Sequence, residues 1–274
     1  MARIRQPAVA GQFYPLSPED LRKQIESFSE KNKSLKPQKE AIGCVLPHAG
    51  YMYSGAVAYA VISGIKLKDN LIIIGPNHTG MGEPFSIMDE GVWQLPFGRI
   101  TVNSALAKKL LFGSSLLRAD SLAHQSEHSI EVELALLQYF RRDFTFVPIV
   151  VAGTDLENYR KLGLEIASVV KEARLEKDTL LIASSDMTHY EEAASAKKKD
   201  SLAIEAMLAL DESRLWSRVR AHDISMCGYG PAIAMLSYAK SLGARSAEMV
   251  AYQNSGDTTG DYSSVVGYAG ITVS

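Results

Sequence analysis

The chain has 274 residues, of which 46% are hydrophobic and 22% charged, and its formal net charge is −2. This ordinary globular composition excludes an intrinsically disordered chain, and the near-neutral charge offers no electrostatic basis for binding nucleic acid or an acidic membrane. Its two cysteines, Cys44 and Cys227, are too few for a disulfide scaffold and favour a reducing, cytoplasmic location. We expect neither a signal peptide nor a membrane span, because no apolar run is long enough.

The first half of the chain alternates predicted helices with short apolar runs. Ser17 and Pro18, followed by two acidic residues, are typical of a helix start. In chain order we predict an irregular lead-in over 1–16, a helix from Ser17, a solvated connector over 31–39, a strand over 43–46, a loop over 47–55, a helix over 56–65, a strand over 71–75, an antiparallel hairpin or flap within 85–101 and a helix over 104–112.

The second half continues this alternation. We predict a helix from Ser126 or Ser129, a strand over 144–151, a helix capped by Asp155 and running to about 173, a strand over 179–183, two helices within 193–220, a helix over 231–242, and closing strands over 247–252 and 264–273. The order favours a doubly wound, mostly parallel sheet with helices on both faces, which is a three-layer α/β/α sandwich. No repeat or linker interrupts it, so we predict a single domain over 1–274.

Three of the predicted strands run directly into segments that contain a histidine. His48 follows the strand over 43–46, His78 follows the strand over 71–75, and His189 follows the strand over 179–183. If these strands are parallel, their carboxyl ends bring all three histidines to one edge of the sheet, where open α/β sheets place their ligands. Each histidine alone is also compatible with a structural role in a turn. Neutral imidazole is the commonest metal ligand, so the pattern predicts a metal site.

Asp186 precedes His189 by three residues, and a carboxylate at that spacing is able to orient the imidazole. A histidine held in this way is suited to proton transfer near neutral pH, so we predict that Asp186 and His189 are catalytic. The alternative is that the segment Ser184-Ser185-Asp186 merely caps a helix.

Cys227 stands just before the predicted helix that Pro231 opens. A helix amino terminus lowers the pKa of a thiol and favours the thiolate, which makes Cys227 a candidate ligand or nucleophile. Cys44 lies inside an apolar strand and is predicted to be inert, and His222 is interpreted as a surface or packing residue.

His124, Glu127 and His128 match the H-x-x-E-H pattern of inverted zinc peptidases. That chemistry requires both histidines on one face of a helix, whereas here the predicted helix is only beginning. The favoured interpretation is that Glu127, His128 and Glu131 form the polar start of a helix near the site. Dinucleotide-binding, phosphate-loop and nucleophile-elbow motifs are absent from the sequence.

A set of short motifs runs in order along nearly the whole chain. They are RQPAVAG (5–11), FYP (13–15), PHAGY (47–51), YSG (53–55), GPNH (75–78), EHSIE (127–131), SSD (184–186) with His189, CG (227–228) with Pro231, and the closing YSS (262–264) to TV (272–273). Together these motifs resemble the Memo family (mediator of cell motility), whose prokaryotic members include AmmeMemoRadiSam system protein B.

The Memo family is similar in fold to the class III extradiol ring-cleavage dioxygenases, which are non-haem iron(II) enzymes. The resemblance implies that His48 and His78 are metal ligands and that Cys227 is the third. It also implies that His189 is the acid/base histidine, with Asp186 beside it. We expect Asn77, Glu127 and His128 to support the ligands from outside the coordination sphere.

The resemblance includes one departure from the dioxygenases, because Cys227 replaces the carboxylate of their two-histidine, one-carboxylate site. A thiolate is softer and shifts the preference towards zinc or copper(I), and it is oxidisable. Iron(II) is the first expectation, with zinc or copper as alternatives. Two functions follow: an oxidoreductase acting on a small molecule, or a non-catalytic protein that binds a metal, a ligand or a peptide. The segment 91–101, with Trp93 and Phe97, is predicted to shape the pocket in either case.

Overall fold

The computed structural model describes residues 3–31 and 38–274, so most of the predicted connector over 31–39 lies outside the described residues. The described helices are α1 (Pro18–Lys31), α2 (Tyr51–Gly64), α3 (Ser104–Gly113), α4 (Glu131–Phe140), α5 (Leu156–Glu172), α6 (Ala193–Leu208), α7 (Glu212–Ala221), α8 (Tyr229–Ser241) and α9 (Gly256–Thr259). The described strands are β1 (Ile4–Arg5), β2 (Gly43–Leu46), β3 (Asn70–Pro76), β4 (Phe85–Ile87), β5 (Val92–Leu95), β6 (Gly98–Thr101), β7 (Arg118–Ala119), β8 (Thr145–Val151), β9 (Thr179–Ser184), β10 (His189–Glu191), β11 (Ala247–Asn254) and β12 (Val265–Val273).

Four parallel strands in the order β2-β9-β3-β8 form the middle of the main sheet. Their side chains alternate between two apolar cores, because successive residues of a strand point to opposite faces. In β3, for example, Leu71 and Ile73 enter one core, whereas Ile72 and Ile74 enter the other. Burial on both faces explains why these strands read as continuous apolar runs in the sequence.

Helices cover both faces of this sheet. The crossover from β2 to β3 passes β9 through α2, and the crossover from β8 to β9 passes β3 in the opposite direction through α5. Helices α2 and α5 pack in different cores, on opposite faces of the sheet. This is expected because two crossovers of the same hand that run in opposite directions place their helices on opposite faces. The predicted three-layer α/β/α sandwich is therefore confirmed.

Antiparallel strands extend the sheet on both sides of its parallel middle. β12 pairs with β2 and also with β10 and β11, and β4 pairs with β8. The predicted hairpin within 85–101 is only partly right, since β5 and β6 pair with each other and with β1 in a separate small sheet, whereas β4 joins the main sheet. Trp93 is buried in the core of the protein, so the prediction that it shapes the pocket is wrong.

Two predicted helix starts move in the structure. α2 begins at Tyr51, inside the segment predicted as a loop, because the side chain of Tyr51 is buried in the core. α4 begins only at Glu131, so Ser126 and Ser129 both precede it. The Asp155 cap is confirmed, since its side chain accepts a hydrogen bond from the amide of Asn158. Within the described residues, no helix is long and apolar enough to cross a membrane.

Candidate metal centre

The candidate site lies at the carboxyl ends of three adjacent parallel strands, β2, β9 and β3. His48 follows the end of β2 by two residues, and His78 follows the end of β3 by two residues. Cys227 lies just before α8. The amino-terminal end of this helix packs against the end of β9. The strand-then-histidine pattern thus places residues that are distant in sequence at one edge of the sheet.

His48, His78 and Cys227 each offer one donor atom within 4.8 Å of the donor atoms of the other two. The Nε2 atom of His48 lies 3.4 Å from the Sγ atom of Cys227, and the rings of His48 and His78 are 5.2 Å apart at 73°. Burial lowers the pKa of His48 well below its ordinary value, and the nearby His128 and His78 lower it further. His48 is therefore neutral, which is the form of histidine that binds metals.

The Nδ1 atoms of His48 and His78, which face away from the candidate metal position, each have a hydrogen-bond partner. The Nδ1 atom of His48 lies 2.7 Å from the hydroxyl of Ser184, and the Nδ1 atom of His78 lies 2.8 Å from Oε1 of Glu127. Metal-binding histidines usually have their second nitrogen occupied in this way, which fixes the orientation of the ring. Both rings are thus held with Nε2 left for a ligand bond.

Glu127 also belongs to a second group of donor atoms within 4.8 Å of one another, formed by His78, Glu127 and His128. However, its carboxylate already accepts backbone hydrogen bonds from His78, His128 and Ser129. Although burial raises the pKa of Glu127, these bonds and His78 lower it to about 2. The carboxylate is saturated with donors, which favours a supporting role over that of a ligand.

His128 stacks on His78, with ring centroids 4.6 Å apart and planes inclined by 25°. The lone pairs of two stacked imidazoles lie in the planes of their rings and point side by side. They do not converge on one point, which is unfavourable for binding a single metal ion together. The side chain of Asn77 accepts hydrogen bonds from the amides of Thr79 and Gly80 and shapes the turn after His78.

Asp186 lies between His48 and Cys227. Its Oδ1 atom accepts a hydrogen bond of 2.8 Å from the amide of His48, and its own amide donates to the sulfur of Cys227 at 3.3 Å. Burial raises the pKa of the Asp186 carboxyl to about 6. Burial and the Asp186 carboxylate both raise the pKa of the Cys227 thiol, so the expectation that the helix amino terminus favours a thiolate here is wrong for the metal-free protein.

His189 is the first residue of β10, and Ser225 holds it, not Asp186. Its Nδ1 atom lies 3.0 Å from the carbonyl oxygen of Ser225, and its amide donates to the Ser225 hydroxyl. A carbonyl oxygen only accepts, so Nδ1 carries a hydrogen, and in the neutral imidazole the lone pair is then on Nε2. His189 and Asp186 line the same cavity as His48 and His78.

That cavity has a volume of about 700 Å³ and opens above His48 and His78. Its walls come from both ends of the described chain, with Gln12 and Phe13 on one side and residues 255–268 on another. Tyr190 stands at its rim, 79% exposed, with a left-handed backbone at φ +59°. No sequence periodicity links residues so far apart, so these walls could not be predicted from the pattern of apolar residues.

The N-terminal wall is fixed by Glu131, the first residue of α4. Its fully buried carboxylate pairs with Arg5 and accepts from the amides of Ala8 and Val9 and from the hydroxyl of Tyr14 at 2.6 Å. Phe13 directly precedes Tyr14, and its carbonyl accepts a hydrogen bond from the amide of Tyr51. Glu131 therefore acts by positioning the segment that closes the pocket.

The peptidase pattern does not have the required geometry. His124 and Glu127 lie in turns before α4, and His124 is fully buried with its ring 6.3 Å from that of Trp93. Burial lowers the pKa of His124 to about 4. In the described part of the chain, His124 belongs to neither of the two groups of donor atoms that are close enough to hold a metal.

The fold and this cluster define an α/β sandwich protein with a histidine and cysteine centre at the carboxyl edge of its sheet. The family model for Memo-like proteins matches residues 5–272. MEMO1 family proteins of Methanosarcina mazei, Methanopyrus kandleri and Aquifex aeolicus are 46%, 43% and 41% identical to this chain, over 97–98% of it and 98–99% of their own lengths. The chain therefore belongs to the Memo-like family.

Proposed function

We propose that this protein binds one divalent transition metal through His48, His78 and Cys227, with iron(II) as the first expectation, and that it acts as a non-haem oxidoreductase on a small organic molecule. The observation that carries the proposal is the convergence of two imidazoles and one thiol within 4.8 Å. The two free cysteines of the described chain support a reducing compartment, which we propose is the cytoplasm.

The donor atoms fit such a metal. Metal–nitrogen bonds of about 2.1 Å and metal–sulfur bonds of about 2.3 Å place tetrahedral ligands roughly 3.6 Å apart. The separation of 3.4 Å between Nε2 of His48 and Sγ of Cys227 agrees with this value. Three protein ligands would leave the metal able to bind a water or a substrate molecule as well, as in catalytic sites.

When bound, the metal would supply Lewis-acid or one-electron chemistry at the floor of the cavity. His189 offers the lone pair of its Nε2 atom and is suited to accept a proton from a bound molecule. Asp186, with its pKa raised to about 6, is suited to hold or release a proton beside the thiol. Phe13 and the C-terminal wall shield these groups from bulk water.

The charge of the cavity favours neutral or cationic ligands. Asp186 and Asp261 line it, and no lysine or arginine is among its described lining residues. Apart from the proposed metal, an anionic phosphate group would find no lysine or arginine among the described lining residues, whereas the aromatic rings of Phe13, Tyr190 and Tyr268 suit a flat or cationic molecule. The volume of about 700 Å³ suits a small organic molecule or a short peptide segment.

The metal assignment is tested by anaerobic calorimetric titration of metal-free protein, purified without a metal-affinity tag, with iron(II), zinc(II) and copper(I). His48→Ala and His78→Ala should each remove most of the affinity, and Cys227→Ser should weaken binding and shift the preference towards harder metals. His189→Ala is the matched control and should bind as the wild type does. Loss of metal in His189→Ala, with retention in His48→Ala and Cys227→Ser, would refute the assignment.

A second function is favoured by the thiol itself. Cys227 is oxidisable, which is unfavourable next to activated oxygen and favours metal, ligand or peptide binding without turnover. The two functions are separated by exposing iron-loaded protein to oxygen. The binding function is supported if mass spectrometry detects progressive oxidation of Cys227 and the protein consumes no more oxygen than this oxidation requires. Sustained oxygen consumption with a neutral aromatic substrate and an intact thiol supports the enzyme.

A further inference from the structure

The hydroxyl of Ser184, at the end of β9, contacts three polar atoms. It lies 2.7 Å from the carbonyl oxygen of Ser129, 2.7 Å from Nδ1 of His48 and 3.0 Å from Oε1 of Glu133. Ser129, Glu133 and Ser184 are all buried, and His48 is 2% exposed. These hydrogen bonds must therefore be satisfied within the protein.

A serine hydroxyl has one hydrogen to donate and two lone pairs to accept with. The carbonyl of Ser129 only accepts, so the single hydrogen of Ser184 goes to it. Both remaining neighbours must then donate to Ser184. Nδ1 of His48 donates when it carries the hydrogen, and Oε1 of Glu133 donates only when its carboxyl group is protonated. One hydrogen-bond assignment thus determines two protonation states.

We propose that Glu133 is a neutral carboxylic acid and that it acts as a positioning residue for His48 through Ser184. In this arrangement His48 is held in the tautomer that carries hydrogen on Nδ1, and the lone pair of its Nε2 is directed at Cys227. The inference rests on the proposed function only in treating Nε2 as the metal-binding atom. The tautomer itself is a property of the metal-free protein and can be measured there.

The surroundings of Glu133 support a neutral carboxyl group independently. Its side chain is 1% exposed, and no ion pair reaches it among the described residues. Glu131, two residues earlier on the same helix, is as deeply buried but receives Arg5, two amides and a tyrosine hydroxyl. An ionised Glu133 would have no such partners, and burial accordingly raises its pKa well above the ordinary value.

The protonated carboxyl is tested by infrared spectroscopy of the metal-free wild type. The carbonyl stretching band of a protonated carboxylic acid should be present at neutral pH and absent from Glu133→Gln. This comparison needs only Glu133→Gln, the most conservative variant, in which the glutamine amide replaces the carboxylic acid as the hydrogen-bond donor. If no such band is lost in Glu133→Gln, Glu133 is ionised and the proposal is overturned.

The tautomer is tested by nitrogen NMR of the imidazoles in the same metal-free proteins. His48 should carry its hydrogen on Nδ1 in the wild type and in Glu133→Gln, since the glutamine amide still donates to Ser184. Glu133→Met, similar in shape but without a donor, and Ser184→Ala should give a mixture of tautomers. A wild-type signal with hydrogen on Nε2, or an unchanged tautomer in a folded Glu133→Met, would overturn the proposal.

Metal affinity gives a third readout. Loss of an outer partner of a metal-binding histidine typically lowers affinity by about 10–100-fold, so Glu133→Met and Ser184→Ala should fall in that range for zinc(II), whereas Glu133→Gln should be within about twofold of the wild type. If the wild type binds no metal, the proposed function fails, yet the infrared and NMR results still decide the state of Glu133 and His48.

Discussion

Nε2 of His48 lies 3.4 Å from Sγ of Cys227, although the two residues are 179 positions apart in the chain. Cys227 stands just before α8, whose amino-terminal end packs against the end of β9. The sulfur accepts from the amide of Asp186, and the amide of the next residue, Gly228, donates to the hydroxyl of Ser185 at 3.0 Å. The close approach of two backbones therefore determines the position of Cys227, the proposed third ligand.

Gly228 makes this approach possible, and its replacement should disrupt the site. A Cβ atom at Gly228 would lie 2.2 Å from the carbonyl oxygen of Ser184, so Gly228→Ala should displace Cys227 and lower zinc(II) affinity at least tenfold in a calorimetric titration. Gly64→Ala is the control, because nothing lies within 4 Å of the added methyl group. Equal affinity in both variants would show that α8 does not position the thiol.

Glu131→Gln should destabilise the protein by about 3 kcal/mol, because it leaves the buried Arg5 guanidinium without its counter-charge. Urea unfolding followed by circular dichroism measures the change. Glu157→Gln breaks the exposed ion pair with Arg160 and should cost less than about 1 kcal/mol. A similar small cost in Glu131→Gln would mean that the N-terminal wall of the pocket is held by other contacts.

The pH dependence of stability should reveal the buried acid. Burial raises the pKa of Glu133 in the folded protein above its ordinary value of 4.5, so above pH 4.5 the unfolded chain releases a proton that the folded chain retains. This group therefore lowers the unfolding free energy by about 1.4 kcal/mol for each pH unit above 4.5, up to the folded pKa. The contribution is absent below the unfolded pKa.

Glu133→Gln lacks this titration and should become progressively more stable than the wild type between pH 5 and pH 7, with the two curves converging near pH 4. Urea unfolding across this range measures the difference. Parallel curves would show that the pKa of Glu133 is the same in the folded and unfolded states.

Tyr190 has an exposed ring and a backbone at φ +59°, a conformation that glycine adopts with less strain. Tyr190→Gly should therefore raise stability by about 0.5–1 kcal/mol in thermal unfolding and, because the ring lines the cavity, weaken the binding of a neutral aromatic probe such as phenol. Arg174→Gly, at φ +58° and outside the lining of the cavity, should raise stability similarly without changing probe binding. If both variants bind the probe equally, Tyr190 does not contact the ligand.

The sequence predicted the parallel middle of the sheet well, because strands buried on both faces have a distinctive apolar composition. The same apolar strands indicated where His48 and His78 lie, because the loops that follow parallel strands all lie at the carboxyl edge of the sheet. β10 was not predicted, because its three residues carry no periodicity and it forms only by pairing with β12.

Glu133 was not singled out in the sequence, because a glutamate in an amphipathic helix is ordinarily exposed. Only the tertiary structure shows that all sides of this part of α4 are buried. For the same reason the sequence pattern pointed to Asp186, three residues earlier, as the group that orients His189. Its partner Ser225 is 36 positions away and reaches it through tertiary packing.

The pairing of β12 with β2 has a consequence for biosynthesis. β2 leads directly to His48, yet β12, its neighbour on one side, is translated long after it. A growing chain on the ribosome therefore exposes His48 and His78 beside an unpaired strand edge well before Cys227 emerges. With the proposed ligand set, a metal captured at that stage would find two imidazoles and no thiol, so loading of the proposed site would have to follow translation, once β12 has closed the sheet.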